Sequence, residues 1–320
     1  INTGIEQLKA ERGNFDLLRG TYRLDMLDWQ GGTLGYDNRY EKPLPKGVDF
    51  NHIALSDIKL GIDSLLYGDG SLAMHLRQCA MKESSGLVLK ELSCKVKLDT
   101  THVSMPDLRL RTPKSMVTAN VDIDFSTFAD KNPGKMKVDL KGYVVKSDFV
   151  PLLASLPSAL LRSMPDTPIT LNVDIDGNMR ALNIRQMDIT YPTVFAMKAH
   201  GKAQNLMSTD RLRADITADA HAYNLNFVKT MLPKSVANAF NIPSNISLKG
   251  NFNAEGTRYA ARFKAEQGGG TVSGNATFDS RRMAYNAKLD ASNLQLRNFL
   301  PNMPLHPFSG TLTANGVGVD

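Results

Sequence analysis

The chain has 320 residues, 42% of them hydrophobic and 22% charged, which excludes a disordered polymer and fits one large globular domain or two or three ordinary ones. Its formal charge of +6 is interspersed with Asp and Glu instead of gathered in a run with interleaved aromatics, which points away from a nucleic-acid surface. No stretch of about 20 apolar residues is present to cross a membrane as a helix, and no signal peptide opens the chain.

Apolar and polar residues alternate almost throughout, the signature of strands with one apolar face. Tyr22, Leu24 and Met26 share a phase; Ile53 and Leu55 do so next, and the pattern resumes after Ser56-Asp57 with Ile58, Leu60 and Ile62. Leu72, Met74 and Leu76 follow, and a phase slip near Arg77-Gln78 turns Cys79 and Met81 inward, as a bulge does. Beyond the turn at Ser84-Ser85-Gly86, Leu92, Cys94, Val96 and Leu98 alternate with polar residues, as do Met136, Val138 and Leu140. Further strands are expected in "ITLNVDIDG", "RADITADAHAY", "NISLKGNFNAEG", "RYAARFKAEQ", "TVSGNATFD" and "MAYNAKLDASNLQL", separated by Gly-, Asn- and Asp-rich turns. Such close spacing implies an antiparallel meander. In "NISLKGNFNAEG", Gly256 marks a turn and Gly250, on the apolar phase, is expected at a bend or bulge.

Three segments break the alternation: Ser147 to Met164, Leu225 to Pro243 and Leu296 to Pro307 carry apolar residues at helical spacing interrupted by proline, so each reads as one or two short helices. Each centres on a Phe (Phe149, Phe227, Phe299) and leads into a strand ending in Gly, which sets an internal period of about 75 residues. Residues 1–130 fit this module poorly and 131–320 fit it well, with a sub-boundary near Phe128 to Lys135. The first and last residues look like cuts in something longer.

Residues that carry chemistry are not grouped. The six histidines stand singly, "VDIDGN" has its Gly at the fourth position of a calcium loop in place of the sixth, and Asp174 and Asp176 read as outward strand residues. "QGGGTVSG" lacks the Lys-Ser/Thr of a phosphate loop and reads as a hairpin turn. Cys79 and Cys94 are too few for a disulfide framework; buried free thiols are the simpler reading, with a bond between them left open. These residues call for no catalytic group, cofactor or metal.

The expected architecture is mainly β, a long curved antiparallel sheet with a few short inserted helices. Its apolar face needs cover, since burying a Leu or Phe contributes roughly 1.5–3 kcal/mol. About 18 strands at roughly 4.8 Å spacing would make a groove on the order of 80 Å long. Its candidate lining is Val138, Leu140, Ile169, Leu171, Val173, Ile175, Ile246, Leu248, Phe252, Tyr259, Phe263, Val272, Phe278, Tyr285 and Leu289. The alternative is a face that packs only on itself.

"LDWQGGTLGYDNRYE", "FNHIALSDIKLGIDSLLY", "MKESSGLVLKELSCKV" and the recurring "FVPLL…P…ITLNVDIDG" unit resemble the middle of TamB/AsmA-like envelope proteins of the Bacteroidetes type. The resemblance implies a taco-shaped β-groove in the periplasm of a Gram-negative bacterium, within a parent anchored in the inner membrane. It implies a non-enzymatic role in outer-membrane biogenesis, with phospholipid carried between the membranes. Two alternatives accompany it: an assembly factor for outer-membrane β-barrel proteins that uses sheet edges, and a purely structural repeat stalk.

Overall fold

A computed structural model of the chain describes residues 2–16, 20–129, 131–231 and 241–318. The protein is mainly β: the described residues form seventeen strands interrupted by short helical segments. Each strand whose register is defined pairs antiparallel with its neighbour in sequence, as short connections between alternating segments require. Two compact units result, Ile1–Thr127 with Gly134–Leu171, and Phe128–Pro133 with Asn172–Asp320. The segment at which the sequence marks a sub-boundary is thus divided: Phe128–Pro133 lies with the second unit, where the Asn178 side-chain amide donates to the Pro133 carbonyl at 3.3 Å, and Gly134 and Lys135 lie with the first.

The first unit is a meander of β1 (Asn2–Asp16), β2 (Thr21–Asp37), β3 (His52–Gly68), β4 (Ser71–Glu83), β5 (Val88–Leu98), β6 (His102–Arg111), β7 (Met116–Asp124) and β8 (Met136–Val144). Its strands slip register repeatedly, at Ser56/Lys59, Leu76/Cys79 and Met105/Leu108 among others. Asp57, Ser64 and Asp107 adopt φ of 53°, 58° and 58°, the left-handed conformation of a bulge. The slip after Leu76 keeps both Leu76 and Cys79 on the apolar face, as the sequence suggests. There Ile62, Leu76 and Cys94 are buried, with Leu27, Leu60, Leu65 and Leu92 packed against them. Both cysteines are free thiols.

A helical insert follows β8: α1 (Lys146–Phe149), a 3-10 turn at Val150–Leu153 and α2 (Ser158–Ser163). In a meander every connection after an even-numbered strand falls at the same end, so the insert shares a rim with the β6–β7 turn. Asp148 fastens the two together, accepting hydrogen bonds from the Lys114 amide at 2.8 Å, the Ser115 hydroxyl at 2.6 Å and the Thr112 hydroxyl.

The second unit contains β9 (Ile169–Asn178, whose first three residues belong to the first unit), β10 (Ala181–Tyr191), β11 (Phe195–Gln204), β12 (Arg213–Ala222), β13 (Ile246–Glu255), β14 (Arg258–Gln267), β15 (Gly270–Asp279), β16 (Ala284–Leu294) and β17 (Phe308–Val317). Its ladders are far more regular, with register shifts only at Ile184/Met187 and Ala291/Leu294 among the described pairs. The second insert begins with a 3-10 turn at Asn226–Met231, and residues 232–240 of the expected helical stretch lie outside the described residues. The third is a single 3-10 turn at Leu296–Asn298, shorter than expected, because Pro301, Pro304 and Pro307 stop any helix. "QGGG" is the hairpin turn predicted, with Gly268 and Gly269 at φ 58° and 80°.

Gly250 is not a bulge. Its ladder runs unbroken from Ala218 through Gly250 to Phe263. A Cβ there would come within 2.7 Å of the Arg262 carbonyl oxygen and 3.0 Å of the Phe263 Cβ, so the glycine makes room for its cross-strand neighbour.

Candidate apolar groove

Register places the apolar residues of the second unit in rows that cross the strands. One row reads Ala203, Ala214, Ala254, Tyr259, Phe278, Tyr285 and Gly316 from β11 to β17. The next reads Gly201, Ile216, Phe252, Ala261, Ala276, Ala287 and Ala314, and a third reads Ala199, Ala218, Gly250, Phe263, Gly274, Leu289 and Leu312. Large side chains stand beside Ala or Gly: Phe263 lies between Gly250 and Gly274, and a Cβ at Gly316 would meet the Tyr285 hydroxyl at 2.5 Å. Such pairs let aromatic rings lie down on the sheet.

The face is concave. A single concavity of about 420 Å³ is lined from β12 to β16 by residues that include Ala214, Ile216, Phe252, Ala254, Tyr259, Ala261, Ala276, Phe278, Tyr285 and Ala287. Five adjacent strands on a flat sheet span roughly 19 Å at 4.8 Å spacing, so one hollow of this size touches them all only if the sheet curls. A neighbouring hollow of about 600 Å³ continues it toward Arg213, Glu255 and Arg258 at the strand ends. The aromatic lining is left partly in water: Phe252 is 36% exposed, Phe278 38% and Tyr285 43%.

The two rims of this unit differ. On the rim that bears the inserts, the chain after β12 folds back over the β10–β11 turn, where the Val194 carbonyl accepts from the Tyr223 and Asn224 amides at 2.8 and 3.2 Å. The third insert likewise lies over the β14–β15 turn, the Asn298 side chain donating to Gln267 at 3.0 Å, and its Phe299 carbonyl accepts the Asn241 amide of the second insert at 2.7 Å. The larger hollow is lined by Arg213, Glu255, Arg258 and Asp279 at the other rim, whose connections are turns.

Nine of the fifteen expected lining residues share the concave face: Ile246, Leu248, Phe252, Tyr259, Phe263, Val272, Phe278, Tyr285 and Leu289. Val173 and Ile175 alternate with Asp174 and Asp176, whose carboxylates pair with Arg185 at 3.3 and 3.1 Å on the polar face. Val138, Leu140, Ile169 and Leu171 belong to the first unit, where Val138 and Leu140 stand opposite Val121 and Ala119. The floor residues Ala214, Ile216 and Ala287 were not anticipated. Their phase within each strand was readable, but alanine is a weak apolar signal.

Among the described residues no three His, Cys, Asp or Glu side chains are grouped so as to hold a metal ion, and no helix is long and apolar enough to cross a membrane. Four histidines lie beside polar groups: His52 by Asp49 at 2.9 Å, His75 by Asp63 at 3.7 Å, His102 by Asp124 at 2.8 Å and His221 by Ser247 at 2.8 Å. No family model matches the chain, and neither curated proteins nor solved structures yield a match.

Proposed function

We propose that this protein is a non-enzymatic, lipid-binding segment of a TamB/AsmA-like envelope protein, working in the periplasm and carrying phospholipid acyl chains along the apolar face of its second unit. The observation that carries the reading is the concavity floored by Ala261, Ala276 and Ala287 and walled by Phe252, Phe278 and Tyr285, whose rings remain partly exposed. An acyl chain laid there covers apolar surface at roughly 25 cal/mol per Å², whereas a polar solute would lose hydration without gaining partners. The polar face, with ion pairs such as Lys249–Asp219 and Lys264–Glu266, keeps the sheet in water. No catalytic step is needed, because a lipid passing along apolar rows of similar depth breaks no bond.

The test is photocrosslinking from benzoylphenylalanine placed at position 252 or 278, with 251 or 277 on the opposite face as control, together with mass spectrometry of lipid extracted from the purified chain. Lipid adducts at 252 and 278 but not at the controls are expected. Adducts at neither pair, with no lipid above background, would overturn the reading. A purely structural role suits the first unit better, since Ile62, Leu76 and Cys94 are buried within its own face.

A further inference from the structure

The turn-bearing rim of the second unit has features the groove does not require. Its turns are zipped to one another. The Met179 and Arg180 carbonyls of the β9–β10 turn accept the Leu206 and Asn205 amides at 2.8 and 3.2 Å. The Gly256 amide donates to the Leu212 carbonyl at 2.7 Å, and the Ser280 amide to the Thr257 carbonyl at 2.9 Å. Arg281 then reaches across to Asp210 at 3.0 Å, joining the β15–β16 turn to the β11–β12 connection. Four successive turns therefore form one ordered ridge.

Among the described residues, that ridge carries Arg211, Arg213, Arg258, Arg281 and Arg282 against the carboxylates of Asp210, Glu255 and Asp279. Two of the carboxylates are committed to holding the ridge together: Asp210 pairs with Arg281, and Asp279 accepts the Thr257 hydroxyl and the Arg281 and Arg282 amides. No carboxylate lies within ion-pair distance of Arg211, Arg213 or Arg282 among the described residues. Between these guanidinium groups apolar side chains point outward. Met207 is 61% exposed, Leu206 37% and Met283 40%. Met283 is moreover held at φ 51°, a left-handed backbone that side chains other than Gly, Asn and Asp adopt rarely, with its carbonyl bound by the Gly318 amide. Protruding methionines beside Arg213, Arg282 and Arg211, the last held only by the Ser208 hydroxyl at 3.3 Å, match the interface of a bilayer, where phosphates meet guanidinium groups and apolar tips sink below them.

We propose that this rim is a membrane-contact surface for anionic, phosphate-bearing lipid headgroups, lying edge-on to a bilayer so that the mouth of the groove faces the lipid. A basic residue at an anionic surface is worth about 1 kcal/mol, about five-fold in partition, so the R211Q/R282Q pair should lose on the order of 30-fold. The inference rests on the lipid reading above, yet the two fail separately: vesicle partition tests the rim, and lipid retained by the purified chain tests the groove.

The experiment is sedimentation of the full chain with phosphatidylcholine vesicles with and without phosphatidylglycerol. Wild type should partition to the phosphatidylglycerol vesicles and be released by about 1 M salt, where the Debye length is roughly 3 Å. R211Q/R282Q should lose that partition, and M207S/M283S should weaken it several-fold, with circular dichroism confirming that each variant is folded. K249Q/K264Q, on the polar face, serves as the equal-charge control and should bind like wild type. Equal losses in the rim and control pairs, or equally tight binding to a DNA duplex, would overturn the proposal.

Discussion

Replacing Asp148 with Ala removes the group that ties the first helical insert to the β6–β7 turn, and its cost can be worked from the contacts. Three donors converge on the carboxylate: the Lys114 amide, the Ser115 hydroxyl and the Thr112 hydroxyl. At about 1.5–3 kcal/mol for each hydrogen bond to a charged group, the ceiling is near 9 kcal/mol. Part is recovered. The freed Thr112 and Ser115 hydroxyls and the Lys114 amide can turn to water, while the Val145 amide still donates to Ser115 at 2.9 Å and the Ser115 amide to Thr112 at 3.2 Å. A net local loss of about 4 kcal/mol remains, roughly a thousand-fold in an opening equilibrium. A two-unit chain does not give a single unfolding free energy, so the assay is hydrogen exchange resolved by segment. Amides of residues 112–115 and 145–166 should exchange about a thousand-fold faster in D148A, while β13–β16 is unchanged. The pH dependence has a definite sign. Burial works to raise the Asp148 carboxyl, but the hydroxyl and amide donors and the Lys114 charge outweigh it and hold the group below 3.8. Its contribution is therefore complete above the unfolded value near 3.8 and is lost as pH falls through the lower folded value. The protection difference between wild type and D148N should be greatest near neutrality and shrink in acid below about pH 4. A D148A protein that exchanges within three-fold of wild type at neutral pH would refute the reasoning.

Three further outcomes are expected. Phe278→Glu should abolish lipid recovery from the purified chain while Thr277→Glu, one residue away on the opposite face, leaves it intact; equal effects would show that the faces are not distinguished. Burial pushes both the Cys79 and Cys94 thiols up, so maleimide labelling at neutral pH should be slow in the native chain and fast in urea, and rapid native labelling would contradict the packing. Mainly through its hydrogen bond to Asp124, and further through the Asp122 and Asp124 charges, His102 is held above 6.5. The stabilisation it supplies is thus present below pH 6.5 and lost as pH rises through the folded value, and its imidazole titration by NMR should move back toward 6.5 in D124N.

Alternation made the strands legible, because a residue's phase in a strand is a local property. Leu248, Phe252 and Tyr259 could be assigned to one face from their spacing alone. The bulges at Asp57, Ser64 and Asp107 were only partly legible: a left-handed conformation at a residue other than glycine leaves no compositional mark, and only the lost phase after Ser56 and Arg77 betrayed a slip. Gly250 shows the limit most clearly. Within its own strand a glycine on the apolar phase argues for a bend, and only the neighbours supply the other explanation, that Phe263 stands beside it and Gly274 stands beyond Phe263. The concavity has the same origin, since Ala261, Ala276 and Ala287 mean little singly and form a floor only when register aligns them. The rim is less local still: the Arg281–Asp210 pair joins residues 71 apart in the chain. What a meander binds is thus decided by the rows that cross its strands. A substitution that preserves every strand's alternation, such as exchanging Phe252 with Ala261, should keep the fold's pattern yet fill the space beside Ala276 and empty that beside Ile216. Lipid contact should then shift between these positions, whereas a groove indifferent to row order would show no change in the crosslinking pattern.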